Sequence, residues 1–255
     1  MGAPAFRQRL KAGETLYSAW IAMGSPRIAD AVARDGWDAV IVDVQHGLAD
    51  YEQIVASITA IVSAGIVPVV RVPMGDDPLL GRCNDAGALG IICPMINTPA
   101  DAKWFAGACK YPPLGARSWG PMRAMQIYGL GRDDYFKAAN EMVLSFAMIE
   151  TRSALDNIDA IASTPGIDAL FVGPNDLCVS LTNGAMIDVT HPDVIAALEL
   201  IVRKCNEHGI VPGAFANTPE IAQSYRKMGF RFISVGTDAG YLAAGSQGAL
   251  ATAKR

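Results

Sequence analysis

Residues 39–72 read "AVIVDVQHGLADYEQIVASITAIVSAGIVPVVRV". The first run, 39–44, is dense in β-branched residues and suits a buried strand. Asp50 then stands before an apolar-periodic run, which predicts a helix with a capped start. Ser63, Gly65 and Pro68 interrupt what would otherwise be one long apolar stretch. The stretch therefore reads as a helix, a turn and a second buried strand over 67–72, and not as a membrane span. Strand, helix and strand in that order are a βα unit meeting its successor, the building block of a parallel sheet.

The same beat recurs in both directions. Further strands are predicted at 16–23, 89–96, 144–150, 169–173, 211–216 and 230–236. Helix starts are signalled by Ser25 before Pro26, Thr98 before Pro99, and Thr218 before Pro219 and Glu220. Gly36, Gly65 and Gly229 mark helix ends. Eight strands alternating with helices in a chain of 255 residues predict an α/β fold, a (β/α)8 TIM barrel. A doubly wound open sheet shares the alternation, but no GxGxxG fingerprint follows the first strand. No linker divides residues 1–255, which read as a single domain. The longest irregular piece, "PPLGARSWGPMRAMQIYGLG" (112–131), is predicted to be a functional loop on its Gly, Pro and Arg content.

Composition narrows the class. Hydrophobic residues make up 51% and charged residues 18%, which suits a large core and argues against disorder. The net charge is −4 and Lys and Arg form no basic stripe, so nucleic acid is not an expected partner. The N-terminal "MGAPAFRQRLKAGE" has no apolar h-region, so no signal peptide is read there. The five cysteines are 83, 93, 109, 178 and 205, an odd number without CxxC, as expected of reduced thiols. Together these predict a cytoplasmic protein without a membrane partner.

Barrel chemistry sits at the C-terminal ends of strands, and the polar residues there are conspicuous. The first strand passes Trp20, Asp43 and His46 close the second, and Arg71 closes the third. Glu150 ends the fifth, Asp176 follows the sixth in "VGPND", and Thr237-Asp238 follow the eighth. Glu150 and Asp176 at neighbouring strand ends would repel each other unless a divalent cation joined them, and all-oxygen ligation suits Mg²⁺ or Mn²⁺. The other reading is a structural ion pair for each, with Arg152 or Arg117. Arg71 must find an anion or an oxygen; it is either a strut on Asp43 or a donor to a carbonyl or enolate oxygen. Gly173-Pro174-Asn175-Asp176 is either an ordinary turn or a carboxylate cradle of backbone N–H groups. The seven lysines fall in helices or flanking turns, so no Schiff-base lysine is expected.

The motifs "VDVQHG", "RVP", "NDAGALGIICPMI", "GARSWGP", "MIETRSALDNIDAI" and "FVGPNDL" together resemble the class II pyruvate aldolases of the HpcH/HpaI family over roughly residues 5–245. That family includes 4-hydroxy-2-oxoheptanedioate aldolase and 2-keto-3-deoxyglucarate aldolase. The resemblance implies a phosphoenolpyruvate/pyruvate-like barrel, and hexamers that exchange the C-terminal helix between subunits. It implies Glu150 and Asp176 as ligands of Mg²⁺ or Mn²⁺, with Co²⁺ as a further candidate, and no nucleotide or PLP. It implies His46 for proton transfer, oriented by Asp43, and Arg71 on the ketone oxygen; the expected route from Asp43 is to fix the His46 tautomer. It implies the amides of Asn175 and Asp176 for the substrate carboxylate, and Asp85 as a contribution to a neighbouring subunit's site. One departure stands out: Gln45 occupies the position where the family carries glutamate before the histidine, which removes a negative charge beside the site.

The expected activity is therefore reversible cleavage of a 4-hydroxy-2-oxo acid to an aldehyde and pyruvate, or a related 2-oxo acid such as hydroxypyruvate, through a metal-stabilised enolate. Small Gly213 at the end of the seventh strand, with Arg117, Ser118 and Arg123 from the 112–131 segment, suggests room for a short polar aldehyde. Arg123 has a second reading as a brace within its own loop. Two alternatives compete with this activity. One is a citrate-lyase-like enzyme acting on a CoA thioester, and the other a catalytically silent barrel that binds a 2-oxo acid.

Overall fold

A computed structural model describes residues 3–255; Met1 and Gly2, where the N-terminal reading begins, lie outside the described residues. The strands are β1 (Leu16–Ile21), β2 (Ala39–Asp43), β3 (Val67–Arg71), β4 (Gly90–Cys93), β5 (Leu144–Ile149), β6 (Ala169–Val172), β7 (Val211–Ala216) and β8 (Phe232–Val235). Each pairs in parallel with its successor, and β8 returns to β1 through Leu16–Phe232 and Ser18–Ser234. That closing ladder makes the fold the expected TIM barrel and excludes the open sheet.

The first helices are α1 (Ala3–Lys11), α2 (Pro26–Ala33), α3 (Tyr51–Ser63), α4 (Asp77–Ala86), α5 (Pro99–Cys109), α6 (Met122–Tyr128) and α7 (Arg132–Met142). After β5 come α8 (Arg152–Asp156), α9 (Ile158–Ala162), α10 (Pro174–Leu181), α11 (Pro192–His208), α12 (Pro219–Met228) and α13 (Asp238–Ala253). Asp50 and Gln53 form a capping box at the start of α3, and Thr98 with Asp101 does the same for α5. Ser25 occupies the N-cap of α2 without a side-chain bond, leaving Pro26 to set that start. The 112–131 segment departs from expectation because it contains α6. "MRAMQIY" has no glycine or proline, and Pro121 and the left-handed Gly129 bound it on either side. Among the described residues, no helix is long and apolar enough to cross a membrane.

The two-residue period of a strand sorts side chains to opposite faces. Leu16, Ile41, Val69, Phe146, Phe171 and Phe232 fill the barrel interior. Val70, Ile91, Ala147, Leu170 and Ala214 face outward under the helices. Each fully buried large side chain contributes about 1.5–3 kcal/mol. Phe6 of α1 packs edge-on against Phe232 at 5.6 Å and, with Leu10, plugs the N-terminal end of the barrel. The buried Lys110 belongs to that end as well: its Nζ donates to Asp168 at 2.6 Å and to the Val143 carbonyl at 2.6 Å, just before β6 and β5 begin. Burial favours a neutral Asp168, but Lys110 and Arg7 hold its carboxyl below the usual range. The same alternation carries Asp43 above Ile41, Arg71 above Val69 and Glu150 above Met148, so the polar strand ends converge on the opposite mouth. Beyond its first turn α13 is largely exposed, Leu242 and Leu250 included.

Candidate active site

A cavity of about 240 Å³ opens at the C-terminal mouth of the barrel. Its lining includes Trp20, Asp43, His46, Arg71 and Glu150, together with the Gly173–Asp176 turn. Ten of the residues singled out in the sequence, Thr237 included, thus meet in one place, with Asp43 and Arg71 as its central pair. The Arg71 guanidinium grips Asp43 as a fork, Nε to Oδ1 at 2.9 Å and Nη2 to Oδ2 at 2.6 Å. The Trp20 ring lies 4.7 Å beneath the guanidinium carbon, and its Nε1–H donates to Asp43 Oδ2 at 3.3 Å. The strut reading of Arg71 is therefore seen directly, while Nη1 of this cavity-lining residue has no acceptor among the described residues.

Strand β2 ends at Asp43, and the chain then bends. His46 lies three residues beyond the strand, exposed at the mouth. Asp43 Oδ1 accepts the backbone N–H of Gln45 at 3.1 Å and that of His46 at 3.3 Å. This corrects the expectation that Asp43 sets the His46 tautomer. Its oxygens are taken up by Arg71, Trp20 and these two amides, so it orients the histidine through the main chain. Gly47 makes the bend feasible: a Cβ there would fall 2.1 Å from the Asp43 carbonyl oxygen. Gln45 does not line the cavity, and its buried Oε1 has no hydrogen-bond partner among the described residues.

Glu150 is buried, and one of its oxygens, Oε2, accepts the Met95 N–H at 2.9 Å. Burial pushes its carboxyl up to about 7; the Met95 N–H opposes the rise, the charge of Asp176 adds to it, and Arg71 opposes it again. Asp176 is exposed, lines the cavity and accepts no hydrogen bond among the described residues. The ion-pair alternative fails for both, because Arg117 is bound to Asp85 at 2.7 Å and Arg152 donates to the Leu181 carbonyl at 3.3 Å. Two carboxylates, one destabilised as an anion by burial and one exposed, have the oxygen chemistry that suits a hard divalent cation. No group of three or more His, Cys, Asp or Glu gathers as a closed cage among the described residues. At the start of α10, Pro174 has no N–H, and the amides of Asn175 and Asp176 have no intrahelical acceptor. They offer two donors at the positive end of a helix, the cradle reading of that turn.

Other expected residues are placed elsewhere. Asp85, Arg117 and Ser118 line a second cavity of about 430 Å³ between α4 and the segment after α5. None of the three reaches the first cavity within one chain. Arg123 on α6 donates to Thr59 Oγ1 at 3.1 Å, holding α6 to α3 rather than binding substrate. Gly213 lies inside the barrel, where a Cβ would meet the Phe171 ring at 2.8 Å; it makes room for that ring and not for an aldehyde. Phe215, two residues on, reaches the mouth instead and meets Trp20 edge-on at 5.3 Å. Sequence reasoning also misses Ala22 and Met148 in the lining. The period of two signals Met148, which shares a face with Glu150. Thr237 lines the cavity, whereas its neighbour Asp238 is buried and accepts the N–H groups of Ala22 and Met23, both at 3.0 Å, tying the barrel's last helix to its first strand.

Known proteins resemble this chain along most of its length. The family model described as HpcH/HpaI aldolase/citrate lyase matches residues 16–244. The chain is similar to the hydroxypyruvate/pyruvate aldolase of Rhizorhabdus wittichii, with 36% identity over 95% of each chain. It is 30% identical to the 5-keto-4-deoxy-D-glucarate aldolase of Escherichia coli, over 95% of this chain and 93% of that one. Among solved structures, an HpcH/HpaI aldolase/citrate lyase family protein from Burkholderia cenocepacia superposes with a TM-score of 0.91 at 35% identity, covering 99% of this chain and 100% of that one.

Proposed function

The chain belongs to the HpcH/HpaI aldolase/citrate lyase family of carbon–carbon lyases, and from that premise we propose that it is a divalent-metal-dependent aldolase. It splits 4-hydroxy-2-oxo acids reversibly into an aldehyde and pyruvate or hydroxypyruvate. The observation that carries this reading is one cavity holding two carboxylates outside any salt bridge, a guanidinium with a free nitrogen, and an imidazole at the mouth. The name of the R. wittichii relative supports the donor.

Glu150 and Asp176 would hold Mg²⁺ or Mn²⁺, with Co²⁺ as a further candidate, and a bound cation supplies a Lewis acid for the 2-oxo acid. The amides of Asn175 and Asp176 receive the substrate carboxylate. Arg71 Nη1 donates to the keto oxygen, which gains negative charge as the bond between C3 and C4 breaks. His46 takes the proton of the C4 hydroxyl as the aldehyde forms and returns a proton to C3. Trp20, Met148 and Phe215 wall the reacting carbons off from water. In a homo-oligomer, Asp85 serves a neighbouring copy's site.

The direct test incubates the protein with Mn²⁺, a 2-oxo acid and glyceraldehyde, with and without EDTA. EDTA-sensitive formation of a 4-hydroxy-2-oxo acid is expected; no product across a panel of donors and aldehydes would sink the aldolase and favour a silent binding barrel. His46→Ala should slow cleavage by about 10²–10⁴-fold while Mn²⁺ affinity, read by titration, stays unchanged. Retained turnover would remove His46 from the mechanism.

A pH dependence follows from Glu150, whose carboxyl rises from its ordinary 4.5 to about 7 in the folded chain. Without metal, the neutral carboxyl contributes stability that is complete below about 4.5 and lost as the pH rises through about 7. A cation needs the ionised form, so below about 7 it must displace a proton. The rise in thermal midpoint on adding Mn²⁺ should therefore be larger at a pH above 7 than below it. Equal rises on both sides would count against Glu150 as a ligand.

A further inference from the structure

Just after β4 the chain adopts a conformation that its side chain does not favour. Met95 has φ +55°, and among the described residues only Asn183 shares a positive φ without being glycine. Asparagine visits the left-handed region readily, whereas methionine has no local hydrogen bond to repay the clash of its Cβ. Packing of the Met95 side chain does not explain it either, since that residue is 39% exposed.

What the conformation achieves is the aim of one N–H group. Met95 N donates to Glu150 Oε2 at 2.9 Å, and Ile96 N reaches the Met148 carbonyl at 3.3 Å. The segment is braced from the loop that follows Glu150 itself. Thr151 donates its hydroxyl to Asn97 Oδ1, and Asn157 Nδ2 donates to the Asn97 carbonyl at 2.9 Å. Asn97 N in turn donates to Asp101 Oδ2 at 3.1 Å, anchoring the segment to α5. The other carboxylate oxygen, Oε1, lies against Gly173, where a Cβ would come within 2.3 Å of it. One oxygen is thus held by the main chain and the other directed at the turn that carries Asp176.

We propose that residues 94–97 are a positioning device for Glu150: the left-handed Met95 occupies Oε2, so that the carboxylate presents Oε1 alone to a divalent cation. The proposal rests on the reading of Glu150 as a cation ligand. It assigns a purpose to Thr151 and Asn157, neither of which lines the cavity. It also sets a preference among metals. Ca²⁺ takes carboxylates in bidentate fashion and many ligands, whereas Mg²⁺ and Mn²⁺ accept single oxygens in an octahedral set. A carboxylate limited to one free oxygen favours the smaller ions.

The test uses the full chain and Mn²⁺ as probe, with free Mn²⁺ read by electron paramagnetic resonance and Ca²⁺ as competitor. Met95→Gly keeps the N–H and adopts a positive φ freely, so Mn²⁺ affinity should stay within about threefold and the thermal midpoint should rise. Met95→Val, β-branched and poorly suited to that region, should weaken Mn²⁺ by about 10-fold or more, the usual effect of losing an outer support of a ligand. Asn157→Ala should do the same and narrow the preference for Mn²⁺ over Ca²⁺, and it carries the test if Met95→Val fails to fold by circular dichroism. Wild-type affinity and selectivity in a folded Asn157→Ala protein would overturn the proposal. Absence of Mn²⁺ binding by the unaltered chain would overturn the ligand reading beneath it.

Discussion

Gly173→Ala is expected to abolish cation binding and turnover while leaving the barrel folded. The backbone tolerates the change, since Gly173 has φ −94° and ψ 91°, values open to alanine. Its new methyl, however, would stand 2.3 Å from Glu150 Oε1 and 3.0 Å from Met148 Cε. The carboxylate has nowhere convenient to retreat, because it is buried and its other oxygen is tied to Met95. Rotating away breaks that bond and withdraws the oxygen that lies against the Gly173–Asp176 turn. Mn²⁺ affinity should fall by at least about 100-fold, the upper end of what disturbing a ligand's support costs, with kcat following it. The measurements are Mn²⁺ titration and circular dichroism on the same sample. A folded Gly173→Ala protein with ordinary affinity would mean that Glu150 does not present Oε1 to a metal.

Arg71 carries the second large effect. Arg71→Lys should lower kcat/KM by about 10²–10³-fold, the usual cost of removing a donor aimed at a developing oxyanion. Lysine keeps the charge, but it cannot hold Asp43 with two nitrogens and still offer a third to the substrate. Most of the loss should appear in kcat, because the keto oxygen demands the bond most as its charge grows. Arg71→Ala should cost stability as well, by about 3–5 kcal/mol, because it leaves the buried Asp43 carboxylate without its cation. Urea unfolding separates the two consequences: the lysine variant should remain close to wild type and the alanine variant should not. A lysine variant with full kcat would reduce Arg71 to a strut.

The barrel is legible in the sequence because each strand is short, apolar and bounded by a cap or a glycine. Asp50 and Thr98 are good examples, as each forms its capping box where the helix is expected. The converging polar residues are legible for a related reason: a charged side chain ending a run such as "VVRV" has few places to go. What the chain does beyond the strand ends is harder to foresee. Arg117 and Arg123 look like substrate residues in a Gly- and Pro-rich loop, yet Arg117 pairs with Asp85, and α6 forms within the loop and carries Arg123 to Thr59. Gly213 looks like space, but a phenylalanine from the preceding strand fills it. The partnership of Asp43 with His46 is legible, while its route through a backbone amide is a matter of three-dimensional saturation that no spacing reveals.

That amide is one of several. The groups gathered at the mouth include N–H donors from Met95, Asn175 and Asp176, all belonging to the peptide chain itself. Replacing side chains one by one to alanine leaves every such donor in place. An alanine scan of this site would therefore report on only part of it, recording position 175 as indifferent even if its amide holds the substrate. The same blindness applies to divergence: main-chain donors persist through any substitution that preserves the local bend. Here Asn175 can drift, whereas Gly47 and Gly173, which contribute no functional atom, cannot.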